Sequence, residues 1–316
     1  MADTGTVTGS RDDVAVDSSR CLRMRYSESS CRRCVDICPH NAVFMDGLLA
    51  INQNNCKGCL LCTAVCPVGA LEQNSDFSAC LAQLARVPEP VLGCHLTKES
   101  SNATMACLGG LSEEHLLNLC HSLTGTLTFN TSVCHDCPNS TVIAHLHQHI
   151  KTLIDNGLLK DGCRFITAES AQDIKYRGEA VDRRSFFKSL RNSLFTGAAV
   201  IMTATGEQSE RHTPYGEKRQ PRRRELLNSI RKRASTEVNK NFGDSYDYHI
   251  NWSETCNACQ GCVAICPSGA LCTEQPDTHP VFDNLLCTGC GLCVEFCMEE
   301  AIVMAPPCNT GQHRHK

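Results

Sequence analysis

The stretch CKGCLLCTAVCPVGAL, residues 56–71, sets four cysteines at a fixed spacing, Cys56, Cys59, Cys62 and Cys66, with Pro67 after the last. Thiols this close along the chain are not easily bridged to one another. The whole chain holds 25 cysteines in 316 residues. So many cysteines mean either a secreted disulfide framework or metal ligation in a reducing compartment. The N-terminal stretch MADTGTVTGSRDDVAVDSSR has no apolar run and no early basic segment, so it does not read as a signal peptide. No stretch approaches the roughly 20 apolar residues of a membrane span. The expectation is a cytoplasmic chain that binds metal.

The ladder recurs. Cys256, Cys259, Cys262 and Cys266 repeat it, as do Cys287, Cys290, Cys293 and Cys297, while Cys31, Cys34 and Cys38 repeat all but its first member. The four units close alike, on CPHNAV, CPVGAL, CPSGAL and CMEEAI, and form two pairs, one toward each end of the chain. Gly58, Gly261, Gly289 and Gly291 lie inside the loops, where crowded or left-handed backbone suits glycine. Pro39, Pro67 and Pro267 follow the last cysteine of three units; Met298 stands there in the fourth, and a small backbone change is expected with it.

This spacing resembles that of bacterial-type 2[4Fe-4S] ferredoxins, present twice as in a polyferredoxin. In that family three close thiolates wrap one side of a cubane, and the last cysteine of each run serves the neighbouring cluster. The resemblance therefore implies four [4Fe-4S] clusters. Cys256, Cys259, Cys262 and Cys297 would hold one, and Cys266, Cys287, Cys290 and Cys293 its neighbour. Cys38, Cys56, Cys59 and Cys62 would hold a third. The fourth has Cys31, Cys34 and Cys66 and needs one more ligand. Glu28 stands at the usual spacing, and Cys21 lies ten residues before Cys31. Thiolate suits a soft iron–sulfur centre better than carboxylate, and enlarging a loop costs little entropy. Cys21 is the expected ligand; a three-iron cluster without it and a Cys21 that only packs are the alternatives. Zinc commonly uses pairs of C-x-x-C, and sixteen cysteines in overlapping sets, with proline after three units, fit it poorly.

Between the ladders the pattern changes. PVLGCHL, TMACL, TLTFNTSVC and CRFITAES read as short strands, and SEEHLLNLCHSL and STVIAHLHQHIKTLI as helices opening on serine caps. Such alternation predicts a small α/β domain with a mostly parallel sheet. Cys94, Cys107, Cys134 and Cys137 fall at strand ends, where a parallel sheet gathers ligands. Cys107, Gly109, the acidic helix start SEEHLLNL, LTFNTS, Cys134 and Cys137 also resemble the small iron–sulfur subunit of heterodisulfide reductase and methyl-viologen-reducing hydrogenase systems. That resemblance covers about a tenth of the chain and implies a [2Fe-2S] cluster, or the remnant of one, on these four cysteines. A zinc ion on Cys134, Cys137, His145 and His149, or cysteines that merely pack, compete with it. Cys80, Cys120, Cys163, Cys272 and Cys308 have no ladder partner and read as structural or surface thiols.

Two further stretches need a reading. DRRSFFKSLRNSL, from Asp182 to Leu194, resembles a twin-arginine export signal, yet it stands deep inside the chain and reads as an amphipathic helix. The run from Arg211 to Arg233 is basic; such runs are most often solvated faces, and the single Tyr215 within it gives no aromatic interleaving of the kind nucleic-acid binding would favour. A net charge of −4 adds no field toward nucleic acid or membrane.

The expected fold is α+β, two ferredoxin-like dicluster modules flanking the α/β domain. A disordered N-terminus spans 1–17, the first module 18–79, the middle domain 80–178, a basic and partly helical linker 179–248, the second module 249–305 and a tail 306–316. Hydrophobic content of 41% and aromatic content of 5% favour several small cores over one large one. The expected function is one-electron transfer to or from redox enzymes, as a partner or subunit of an oxidoreductase complex, rather than catalysis. A catalytic subunit of heterodisulfide-reductase type is the rival, weakened because no G-x-G-x-x-G dinucleotide fingerprint is present. A regulatory or nucleic-acid-binding iron–sulfur protein is the other.

Overall fold

Cysteine loops leave little chain free for regular backbone, so the strands beside them are short. The computed structural model describes residues 12–174, 176, 217–234, 236–275 and 277–308. Near the N-terminus, β1 (Val14–Val16) enters, and the helical turns α1 (Leu22–Arg25) and α2 (Arg33–Asp36) follow. Then come β2 (Val43–Phe44), β3 (Ala50–Ile51), the short helix α3 (Leu61–Val65) and β4 (Leu71–Gln73). The first strand pairs with the last, β1 with β4, and β2 pairs with β3 inside them, both antiparallel. Val14, Leu22, Val43, Ile51, Leu60 and Leu71 bury together with Cys21, Cys34, Cys62 and Cys66. Strand β1 falls within the stretch expected to be disordered. Only its first residue, Val14, is buried; Ala15 and Val16 are exposed.

The middle region builds α4 (Phe77–Leu84), β5 (Val91–Cys94), β6 (Ala103–Met105), α5 (Glu113–Ser122), β7 (Thr126–Asn130), α6 (Val142–Asp155) and β8 (Arg164–Ala168). The sheet order is β6-β5-β7-β8, and every pairing is parallel. All four residues of β5 are buried, the continuous apolar run of a strand covered on both faces. Helix α5 starts on the expected Ser112 cap, which closes a capping box with His115. Helix α6 does not start on serine. Its flanking residue, Thr141, is already helical and makes no side-chain cap, because i to i+3 bonds from Cys134 through Val142 wind the chain directly into the helix.

Among the described residues of 179–248 lie the helices α7 (Arg222–Arg231) and α8 (Thr236–Tyr246). The twin-arginine-like stretch lies outside the described residues. Leu227, Ile230, Phe242 and Tyr246 bury in the core shared with the parallel sheet. The α7 arginines were expected on a solvated face, but the structure seats three of them inside. Arg224, 4% exposed, donates to the carbonyls of Tyr246, Asn284 and Leu285. Arg223 donates to the carbonyls of Ala64 and Cys66, each at 3.0 Å, and pairs with Glu114 at 3.3 Å. Arg231 pairs with Asp247 at 2.7 Å. Guanidinium forks suit this task, since each offers several donors in one plane to carbonyls left over at loop ends.

The second cysteine region repeats the plan of the first. Strand β9 (His249–Trp252), helix α9 (Gly261–Ile265), β10 (Leu271–Cys272), β11 (Val281–Phe282), helix α10 (Leu292–Glu295) and β12 (Ile302–Ala305) follow in order. Again first pairs with last, β9 with β12, and the inner two pair with each other. Mixed helix and strand, with a four-stranded parallel sheet between the two cysteine-rich ends, is the observed architecture.

One buried polar cluster joins the first region to the middle one. The His115 ring takes the Ser112 N–H on Nδ1 at 3.3 Å, and its Nε2 meets the Gln73 amide at 2.7 Å. Burial holds the His115 imidazole down at about 4, against the opposing pull of Glu114. The unfolded histidine takes up a proton near 6.5, well before the native one does, so acid favours unfolding throughout that interval. Lowering the pH from 7.5 to 5.5 should cost about 1.4 kcal/mol through this group alone. Thermal melts of the anaerobic protein at the two pH values should show a fall that His115→Gln reduces; an equal fall in both proteins would refute this role.

Candidate metal centres

Each complete ladder curls through two left-handed residues that flank its second cysteine. Around Cys59 these are Gly58 (φ 68°) and Leu60 (φ 61°); around Cys259, Ala258 (φ 55°) and Gln260 (φ 59°); around Cys290, Gly289 (φ 62°) and Gly291 (φ 82°). A side chain in that conformation costs about 1–2 kcal/mol, so the repetition at Leu60, Ala258 and Gln260 marks a geometry the loops require. The incomplete unit lacks it. Arg32, just after Cys31, has φ −132°, as expected where the preceding ligand is not in the same loop.

The curl turns amide donors toward sulfur. Within the loops, backbone N–H groups of Leu61, Arg33 and Leu292 donate to the sulfurs of Cys59, Cys31 and Cys290, and Gly289 N–H donates to Cys287 at 3.4 Å. At the closing motifs the donor is the shared alanine: Ala42 to Cys38 at 3.3 Å, Ala70 to Cys66 at 3.2 Å, and Ala301 to Cys297 at 3.3 Å. All three alanines are buried. In these three repeats the shared alanine is therefore a small residue placed where its amide reaches a sulfur.

The cysteines gather in groups. Cys21, Cys31, Cys34 and Cys66 line one cavity with Leu22, Met45 and Leu49, and charge on Cys66 acts on each of the other three. Glu28 is exposed and accepts a hydrogen bond from the Tyr26 hydroxyl at 2.9 Å. Cys38, Cys56 and Cys59 surround Cys62, and Cys266, Cys287 and Cys290 surround Cys293. Cys256 and Cys259 act on Cys262. Cys297 packs against the same core as Cys262, and Thr255 and Asn257 bind Glu299 two residues beyond it.

Burial raises the most enclosed of these thiols. It pushes Cys34 and Cys290 up to about 12, with neighbouring sulfurs adding to the effect, and Cys62 well above its ordinary range. Thiolates in such sites need a cationic centre and several amide donors to offset their charge. The residues present fit an iron–sulfur core in both respects.

Residues 29–70 match the 4Fe-4S dicluster domain family, and residues 253–269 and 280–303 each match a 4Fe-4S binding domain family. The chain carries ferredoxin-like iron–sulfur modules. It is also similar, at 37% identity over 62 residues, to a Halobacterium salinarum protein named as an iron-sulfur subunit of dimethyl sulfoxide reductase. The match takes in 17% of this chain and 24% of that relative's length. No solved structure matches the chain.

The two ferredoxin-like modules touch. Ile265, Cys290 and Leu292 of the second pack into the core that holds Cys21 and Cys34 of the first. Tyr26 meets Phe296 edge-on at 5.3 Å, and Glu295 accepts from both the N–H and the hydroxyl of Ser30.

The middle cysteines also converge. Cys94 ends β5, Cys107 follows β6, and Cys134 and Cys137 follow β7. Charge on Cys94, Cys59 and Cys134 acts on Cys107, and charge on Cys94 and Cys137 acts on Cys134. Gly109 N–H donates to Cys107 and Asn139 N–H to Cys137 at 3.5 Å, each two residues past the cysteine, as in the ladders. His149 faces Glu113 at 3.4 Å. Among the described residues no three His, Cys, Asp or Glu side chains stand where they could hold a single metal ion. None of the family matches reaches this region.

Its loop lies against the first module. A Cβ on Gly109 would stand 2.2 Å from the Cys59 carbonyl oxygen, so only glycine permits this approach. Asn139 donates to the Lys57 carbonyl at 2.9 Å and meets His40 at 2.8 Å. Sequence reasoning did not find these contacts; Gly109, His40 and Lys57 stand inside quoted motifs, but the residues they meet lie far away along the chain.

Proposed function

We propose that the protein conducts single electrons along a line of iron–sulfur centres that runs from the middle domain to the outer edge of the second module. The observation that carries this reading is the order of the cysteine sets in space. Cys107 neighbours Cys59, Cys62 neighbours Cys34, Cys290 packs into the core around Cys21 and Cys34, and Cys293 neighbours Cys262. Each set is thus in touch with the next.

In this reading Cys21, Cys31, Cys34 and Cys66 hold one [4Fe-4S] cluster, and Cys38, Cys56, Cys59 and Cys62 a second. Cys266, Cys287, Cys290 and Cys293 hold a third, and Cys256, Cys259, Cys262 and Cys297 a fourth. Cys94, Cys107, Cys134 and Cys137 hold a smaller [2Fe-2S] centre. Such groups supply reversible one-electron chemistry at potentials set by charge, hydrogen bonds to sulfur and exposure. The chain's own part is to supply those terms: alanine and glycine amides stabilise added negative charge, and apolar packing around Cys34, Cys62 and Cys293 excludes water. Cys259, at the far end of the line, is exposed. An oxidoreductase is the partner class this supports, in keeping with the name of the halobacterial relative. The module and linker boundaries are those read from the sequence, with the first module extended to include β1.

The experiment is an anaerobic redox titration followed by EPR. Several one-electron centres with mutual magnetic coupling are expected; isolated, uncoupled signals would contradict a continuous line. For the middle set, Cys107→Ser should remove about two irons and leave the four-iron centres intact. Unchanged iron content would remove the fifth centre from the proposal.

A further inference from the structure

Cys120 and Cys163 belong to none of the sets, yet the fold brings them together. Cys120 lies near the end of α5 and is completely buried; Cys163 lies in the turn before β8 and is half-buried. The Cys163 thiol hydrogen bonds with the Cys120 sulfur. The backbone N–H of Lys160 donates to that sulfur at 3.2 Å. Gly162, at φ 79°, and a bond from Cys163 N–H to the Lys160 carbonyl at 3.0 Å form the turn that places both donors. A buried cysteine that only fills space needs apolar neighbours; this one takes two polar donations from a turn built around it.

We propose that Cys120 and Cys163 are a reversible thiol–disulfide couple, a site of reaction for low-molecular-weight disulfides separate from the iron–sulfur centres. The two sulfurs share a proton, and the Lys160 amide and ammonium favour the thiolate form of the pair. Cys163 is the sulfur that solvent reaches. Both donations fall on Cys120, so its sulfur is the resting thiolate; passage of the shared proton from Cys163 to Cys120 frees the Cys163 thiolate, which attacks the external disulfide, whose S–S bond breaks and releases one thiolate. That thiolate takes the proton from Cys120, and the Cys120 thiolate attacks the mixed disulfide on Cys163. A second thiolate leaves and takes its proton from solvent, where the first deprotonation of the pair had placed one. In sum two protein thiols lose two electrons and two protons, and one external disulfide becomes two thiols.

The test uses the complete, anaerobically purified protein with glutathione disulfide as the probe. After incubation, free thiols are alkylated and the peptides are mapped by mass spectrometry. The result expected is a peptide pair joined through Cys120 and Cys163, two hydrogens lighter than the reduced pair and restored by dithiothreitol, with iron content unchanged. In Cys120→Ser, Cys163 should instead retain glutathione as a mixed disulfide. The proposal is overturned if the wild-type protein carries glutathione on Cys163 with no internal bridge, or if both thiols stay alkylatable. Iron content measured on the same sample separates this outcome from any failure of the cluster assignment.

Discussion

Replacing Cys21 by serine is expected to convert one four-iron centre to a three-iron one, lowering the total from about 16 irons in the four cubanes to about 15. A new EPR signal should appear in the oxidised protein. Cys21 is buried at the start of α1, lines the same cavity as Cys31, Cys34 and Cys66, and receives amide donors from Arg23 and Met24. Serine preserves the shape but offers a hard oxygen to a soft iron. Glu28→Ala should leave iron and spectrum unaltered, because that carboxylate is exposed and engaged by Tyr26. If Glu28→Ala gives the three-iron signal and Cys21→Ser does not, the ligand assignment is wrong.

Gly289→Ala should have the larger structural effect. At φ 62°, a Cβ on Gly289 would stand 1.9 Å from the Tyr248 ring, which is itself buried. The ring cannot simply move aside, so the Cys287–Cys290 loop must shift and take its sulfurs with it. The expected loss is the four irons of one cubane, about a quarter of the cubane iron. Gly291→Ala is the control. Its φ of 82° is as demanding, but nothing lies within 4 Å of the added carbon, so it should cost only about 1–2 kcal/mol of backbone strain. Full iron content in Gly289→Ala, or equal loss in both variants, would show that the contact with Tyr248 does not shape the site.

The comparison of these two glycines also shows what could be read in the residues themselves. Both stand inside a ladder, and the ladder spacing reveals the local curl; only the fold reveals that Tyr248, forty-one residues earlier in the chain, occupies the space beside one of them. The strands of the middle sheet were legible because they are short apolar or alternating runs, and because helices with clear periodicity separate β6 from β7 and β7 from β8. Cys21 was preferred to Glu28 on ligand softness and on the small entropic cost of a longer loop, and the fold places it in one cavity with Cys31, Cys34 and Cys66. The α7 arginines were not, since the carbonyls they serve belong to Ala64, Cys66, Asn284 and Leu285, and a charge run looks the same whether water or a loop end accepts its donors. The order of the cysteine sets was beyond the sequence for the same reason. It depends on contacts such as Tyr26 with Phe296 that no local pattern encodes.

Iron, acid-labile sulfide and zinc measured together on oxygen-free protein test the central claim most directly. About 16 irons with as many sulfides, and about two more of each for the middle centre, are predicted. Colourless protein loaded with zinc and lacking sulfide would contradict it.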